Sequence, residues 1–464
     1  MGDVTRIVIL GGGPGGYEAA LVAAQLGADV TVVERDGPGG ACVLTDCVPS
    51  KTLIATSVRM AVMSESADLG LRYNGGPDGV VGALEADMAT VNKRVKDLAR
   101  AQSFDVAERL AYEEVKIVRG EGRLVEPHVV AVGDRRIRAD IILVATGATP
   151  RVLPGAEPDG ERILNWRQLY DLPELPEELI VVGSGVTGVE LAGAYLSLGS
   201  RVTLVSSRDR ILPTEDADAA SVLQEVFLRR GMKVMPRSRA AGVERSGDGV
   251  IVTLEDGRKV EGSHCLMTVG MVPNTRGIGL EEVGVKLDKR GFVVVDKVSR
   301  TSVPHIYAAG DCTGVLMLAS VAGMQGRIAM WHALGEAVQP LKLGWVASNI
   351  FTEPEVASVG VTQSMVDSGE VNARTVMLPL FSNARAKMQG FQDGFVKLFC
   401  RPSTSIVLGG VIVAPRASEL ILGVSMAVQQ HLTVDQVAHT FAVYPSLSGS
   451  ITEAARRLMA EHAF

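Results

Sequence analysis

Short apolar runs, each closed by a cluster of glycines, set the rhythm of this chain. Arg6–Leu10 breaks into Gly11-Gly12-Gly13-Pro14-Gly15-Gly16, continues as an Ala/Leu-rich stretch to Gly27 and resumes as Val30–Val33. That order predicts strand, glycine turn, helix, strand. The pattern returns at Leu179–Val182, Gly183-Ser184-Gly185-Val186-Thr187-Gly188, a helical stretch to Gly199, and Val202–Val205, displaced by 172 residues (Gly183 against Gly11). Such a duplication predicts two βαβ units, each able to present a helix N-terminus to a pyrophosphate.

Between the copies lie a charge-rich helical segment (Thr90–Leu110), an alternating stretch (Val115–Val132) and the strand Ile141–Val144, which runs into Ala145-Thr146-Gly147. Beyond the second copy, Val250–Leu254, Phe292–Val295 and His305–Asp311 read as strands. From Leu343 the texture changes to strand-like runs (Val396–Phe399, Ile406–Val413) and a helix over Ala417–Gln430, a separate α+β unit. The expected fold class is therefore α/β, with two Rossmann-like domains and a C-terminal α+β domain. The boundaries are residues 1–150 with 275–342 for the first domain, 151–274 for the second and 343–464 for the third.

Composition narrows the function. A chain of 464 residues is too long for one core, and 47% apolar with 21% charged residues is the balance of an ordinary globular protein. A net charge of -7 argues against a nucleic-acid or anionic-membrane surface. No apolar run reaches the roughly 18–20 residues of a membrane span, and the N-terminus lacks a signal-peptide pattern, so a cytoplasmic location is expected. Five cysteines are too few for a disulfide framework, and a paired motif in a reducing compartment points to catalysis.

In each turn the first glycine (Gly11, Gly183) permits the bend, the second (Gly13, Gly185) lets backbone approach phosphate and the third (Gly16, Gly188) allows close helix–strand packing. Glu34 stands 18 residues after Gly16, where a carboxylate meets ribose hydroxyls, so the first site takes an adenosine without a 2′-phosphate. At the same offset from Gly188 stands Ser206, followed by Arg208 and Arg210. Loss of the carboxylate with guanidinium groups nearby suits NADPH, with NADH possible; the alternative is that these arginines are solvated loop charges.

The stretch Gly39-Gly40-Ala41-Cys42-Val43-Leu44-Thr45-Asp46-Cys47-Val48-Pro49-Ser50-Lys51 is the most specific feature. On a regular helix, cysteines five apart are separated by roughly 7–8 Å along the axis, too far for a disulfide. A bridge needs a distorted turn, which Gly39 and Gly40 could help supply. Cys265, Cys312 and Cys400 are isolated and expected to be buried, and the spacing matches no metal site.

With these residues in view, the whole chain resembles the flavoprotein disulfide reductases, the family of lipoamide dehydrogenase, glutathione reductase and mercuric reductase. The resemblance implies FAD on the first turn with Glu34 on its ribose. Cys42 and Cys47 match the redox disulfide, and Lys51 the lysine near the flavin. Glu190 matches the glutamate that pairs with that lysine. Gly310 and Asp311 match the second FAD fingerprint, joined by Ala319, and Thr146 and Gly147 the end of the first FAD segment. Residues 343–464 match the interface domain, implying a homodimer whose active site the partner completes.

Members that reduce disulfides carry His-Pro-x-x-x-Glu near the C-terminus, where this chain has Tyr444-Pro445-Ser446-Leu447-Ser448-Gly449. An imidazole with pKa near 6.5 shuttles protons at neutral pH and a phenol near 10 does not, a loss of about 10²–10⁴-fold where general acid/base catalysis is needed. His439 is expected to be a helix-end or packed residue rather than a substitute. The C-terminal cysteine pair of mercuric reductase is missing from the last five residues. The sequence is similar overall to the NAD(P)H quinone reductases that are lipoamide-dehydrogenase homologues, which implies a quinone acceptor. Reduction of disulfides by Cys42 and Cys47 is the second reading, and a flavin-binding redox sensor or complex subunit the non-enzymatic one.

Overall fold

A computed structural model describes residues 4–71 and 84–460; the last four residues of the C-terminal stretch without cysteines lie outside them. The chain forms two compact units, one of residues 1–52, 92–151 and 270–342, the other of residues 53–91, 152–269 and 343–464.

The first unit is built on a five-stranded parallel sheet in the order Ile306–Ala308, Ile141–Val144, Arg6–Leu10, Asp29–Glu34, Lys116–Arg119. Arg6–Leu10 is central and covered on both faces, which is why it reads as an unbroken apolar run. Ile7 and Ile9 pack with Ala19, Ala20 and Ala329 of the helices Pro14–Gln25 and Ala319–Ala333. Val8 and Leu10 pack on the opposite face with Leu124 and Val130, from an antiparallel meander of Gly122–Glu126, Val129–Val132 and Arg135–Arg138.

Phe292–Val295 does not form the strand expected of it. Val293 donates to Cys312 O and Val294 to Lys286 O, both through backbone N–H, and only an isolated bridge to Leu287 forms. The run is apolar because Phe292 and Val293 are buried, not because it belongs to a sheet.

In the second unit the corresponding strands Lys233–Met235, Arg201–Val205, Glu178–Val182 and His264–Met267 follow that order from the opposite edge, again all parallel, and the edge place beside His264–Met267 is taken by Ile163–Asn165, which precedes the glycine turn in the chain. The helix Val186–Leu198 follows its glycine turn. Residues from 343 onward form an antiparallel sheet in the order Ala347–Ile350, Glu355–Gly360, Val407–Ala414, Phe395–Cys400, Arg374–Pro379. The helices Ala417–Gln429 and Gly449–Ala460 bury Ile421, Val424, Ala454 and Leu458 in the core that this sheet contributes to.

Candidate functional site

The first glycine turn is shaped by what glycine lacks. Gly11 has φ +101°, and its N–H donates to Val33 O at 2.8 Å, tying the turn to the neighbouring strand. A Cβ at Gly16 would overlap Gly11 O, whereas a Cβ at Gly13 would meet nothing nearer than Gly39 O at 4.0 Å. The loop is thus closed by Gly11 and Gly16 and left open at Gly13, as a pyrophosphate over a helix N-terminus requires. Glu34 is 8% exposed and accepts from Gly12 N at 2.6 Å and from Asp36 N at 2.7 Å.

The other residues expected at this site follow the neighbouring strands. Thr146 Oγ1 is buried without a hydrogen-bond partner, Thr146 O accepts from Asn274 Nδ2 at 2.9 Å, and Gly147 turns with φ +68°. Gly310 N donates to Oε1 of the buried Gln325 at 2.9 Å. Burial and the nearby Asp46 lift the Asp311 carboxyl to about 6. Ala319 opens the helix Ala319–Ala333. All stand just past the C-terminal ends of the parallel strands or at a helix N-terminus, where open α/β sheets bind ligands. The open cradle at Gly13 and the orphaned Thr146 hydroxyl fit FAD, a large polar ligand with a pyrophosphate.

The cysteine segment solves its spacing problem with a break. Gly40–Leu44 is a five-residue helix ending at Thr45, and Cys47 begins the helix Cys47–Ser64. The distortion falls at Thr45-Asp46; Gly39 and Gly40, with φ +91° and +57°, shape the entry instead. Both sulfurs are thiols, and a hydrogen bond with Cys47, then burial, then the charges of Cys47, Asp46 and Asp311 hold the Cys42 pKa far above the thiol range. Cys47 stands at the N-terminus of its helix, the positive end of the helix dipole. Lys51 lies four residues further along that helix, on the same face. Cys265, Cys312 and Cys400 are fully buried as expected, and burial pushes Cys312 up to about 12.

The second turn repeats the first. Gly183 has φ +115° and its N–H donates to Val205 O at 3.0 Å. A Cβ at Gly188 would overlap Gly183 O, while one at Gly185 would meet nothing within 4 Å. Ser206 is fully buried and its hydroxyl is committed: it lies 2.7 Å from Ser184 Oγ and accepts from Arg208 N at 3.1 Å. Beyond this strand end Arg208 is exposed, and the Nε of Arg210 is buried without a hydrogen-bond partner.

Glu190, 3% exposed, accepts from Phe351 N at 2.8 Å. Tyr444 is 84% exposed beside Phe441 and Val443, which are also exposed. His439 caps the C-terminal end of the helix Val434–Ala438, with Nδ1 2.9 Å from Asp435 O, in keeping with a helix-end role. Sequence reasoning passed over Asp46 and Gln325. Asp46 sits inside the cysteine motif and was open to notice; Gln325, in an Ala/Gly-rich helix, gave no signal.

Residues 5–326 match the pyridine nucleotide-disulphide oxidoreductase family and residues 346–455 its dimerisation domain. The chain belongs to this family, whose members depend on FAD and a nicotinamide dinucleotide. It is 56% identical over 472 residues to an NAD(P)H dehydrogenase (quinone) of Mycobacterium tuberculosis, covering 98% of this chain and 94% of that protein. A dihydrolipoyl dehydrogenase of Geobacillus stearothermophilus is 33% identical over 460 residues, covering 97% and 95%. The crystal structure of LpdA from Mycobacterium tuberculosis matches with a TM-score of 0.93 at 56% identity, covering 98% of this chain and 100% of that one. No helix among the described residues is long and apolar enough to cross a membrane.

Proposed function

We propose that this chain is an NADPH-dependent quinone oxidoreductase. The observation that carries the reading is the replacement of the disulfide-reducing acid/base pair by Tyr444 and Gly449, beside an otherwise complete set of family residues. The relative named as a quinone-reducing NAD(P)H dehydrogenase supports it. FAD, when bound, accepts two electrons from the nicotinamide and passes them to the acceptor. Gly11, Gly13, Gly16, Glu34, Thr146, Gly147, Gly310, Asp311 and Ala319 would hold it. Gly183, Gly185, Gly188, Arg208 and Arg210 would hold NADPH, and Lys51 with Glu190 would orient the reacting edge. Residues 1–150 with 275–342, 151–274 and 343–464 would serve as FAD, nucleotide and interface domains of a cytoplasmic homodimer whose site the partner completes.

Disulfide reduction is retained as a second reading because both cysteines are present as thiols and Cys47 lies close enough to be the leading cause of the raised Cys42 pKa. Purified holoenzyme with NADPH and a panel of benzoquinone, naphthoquinone, lipoamide and mercuric ion separates the readings. Quinones are expected to turn over at least about 100-fold faster than lipoamide, the lower end of what a missing general acid/base costs. Comparable lipoamide turnover would establish the second reading, and flavin reduction that stops after one equivalent would establish a sensor.

A further inference from the structure

The loop after the strand Arg201–Val205 carries Arg208, Asp209 and Arg210 in succession. An aspartate between two arginines is a poor neighbour for a phosphate monoester, because its carboxylate repels the ligand the arginines attract. Arg237, in the turn after the adjacent strand Lys233–Met235, answers that charge: its Nε lies 2.7 Å from Asp209 Oδ1. The turn is fastened to the loop through backbone. Arg237 N donates to Arg208 O at 2.9 Å and Ser238 N to Ser206 O at 2.7 Å. Arg237 takes a left-handed φ of +51°, a conformation unfavourable for a residue with a side chain and held here by those bonds. Arg258 Nη2 secures the turn from the other side by donating to Ser238 Oγ at 2.8 Å.

The Arg237 and Asp209 side chains are 80% and 77% exposed, so the pair contributes little to folding. Its consequence is in the local field. We infer that Arg237 is a specificity-determining residue of the nucleotide site, cancelling Asp209 so that Arg208 and Arg210 present uncompensated positive charge to a 2′-phosphate. The inference rests on the NADPH reading above. NADH carries no charge at that position and is indifferent to the cancellation, so Arg237 acts on the choice between nucleotides rather than on turnover.

Holoenzyme mixed rapidly and anaerobically with NADPH or NADH reports flavin bleaching without any acceptor, and its saturation gives an apparent Kd for each nucleotide. Arg237→Ala is expected to raise the Kd for NADPH about three- to sevenfold, the scale of one lost charge in a largely solvated site, with NADH changing less than about twofold. The selective loss should shrink in about 0.5 M salt, where the screening length falls to a few Å. Arg237→Ala combined with Asp209→Asn should recover most of the NADPH preference. Equal shifts for both nucleotides, or no recovery in the double variant, would overturn the role. Arg208→Ala keeps the two levels apart. If it lowers the NADPH preference while Arg237→Ala does not, only the inference about Arg237 falls. If neither changes the preference, the 2′-phosphate reading fails as well.

Discussion

Replacing Lys397 by methionine should destabilise the folded chain by about 3–5 kcal/mol, the scale for stripping one partner from a buried ion pair. Lys397 stands in the strand Phe395–Cys400 with 2% of its side chain exposed. Its Nζ is 2.8 Å from Oδ2 of Asp216, also 2% exposed, and 2.6 Å from Oδ2 of Asp218, which is 55% exposed. Without the ammonium, Asp218 can turn to water and Asp216 cannot. What remains to Asp216 is the N-cap of the helix Ala217–Arg229, where Oδ1 accepts from Asp218 N at 3.1 Å and Ala219 N at 3.2 Å. Methionine replaces most of the lysine stem, so the cost is electrostatic rather than a cavity. Asp216→Asn in the Lys397→Met background should restore most of the loss, since asparagine keeps the cap and removes the stranded charge. Guanidinium unfolding of the FAD-loaded protein at one fixed concentration, followed by far-UV circular dichroism, measures both variants. A cost under about 1 kcal/mol for Lys397→Met, or a double variant no more stable than the single, would refute the reasoning.

Gly16→Ala should yield protein without bound flavin, because the added Cβ overlaps Gly11 O; flavin absorbance after purification checks this. Gly188→Ala, which strikes Gly183 O, should keep the flavin and lose reduction by NADPH. Burial, opposed by Arg230 and reinforced by Glu355 and Glu65, lifts Glu353 from 4.5 to about 7. A raised carboxyl pKa makes the folded chain hold the extra proton, so stability falls as pH rises from about 4.5 to about 7 and stays low above. Glu353→Gln should therefore stabilise by roughly 1–3 kcal/mol at pH 8 and be neutral near pH 4, and equal effects at the two pH values would contradict the assignment. Tyr444→His with Gly449→Glu should raise lipoamide turnover and leave quinone turnover within a few-fold; no gain in a dimeric, quinone-active variant would put the barrier in pocket shape.

The parts of the site that were legible in the sequence are those where the backbone dictates the residue. Gly11, Gly16, Gly183 and Gly188 admit no side chain for steric reasons alone, so the two turns could be placed without a structure. The break between Cys42 and Cys47 carries no glycine or proline at Thr45-Asp46 itself, and its local mark is Pro49, which cannot bond the Thr45 carbonyl in a continuous helix and so falls in the first turn of the next one. Lys397 falls inside the apolar run Val396–Phe399, and its partner Asp216 lies 181 residues away, beyond the reach of any local pattern. Phe292–Val295 shows the opposite failure: an apolar run with β-branched residues satisfies every local rule for a strand, yet no neighbouring strand is there to pair with it.

The duplicated turns carry one backbone geometry with different residues at two matching positions. Gly12 and Ser184 occupy the same place in the two copies, as do Glu34 and Ser206, each pair displaced by 172 residues (184 against 12, 206 against 34). In the first copy a Cβ at residue 12 would press against Glu34, at 3.1 Å from its Cγ, and its absence lets the carboxylate reach Gly12 N. In the second copy Ser184 has that side chain, and the shorter Ser206 meets it hydroxyl to hydroxyl at 2.7 Å. The two positions are in steric contact in both copies: a Cβ at residue 12 would crowd Glu34, and Ser184 faces the shorter Ser206. Losing the carboxylate at 206 also removes the charge that would repel a 2′-phosphate. The steric pairing inside the turn and the absence of a carboxylate at the strand end thus rest on the same two positions, and the carboxylate that remains nearby, Asp209, is the one that Arg237 pairs.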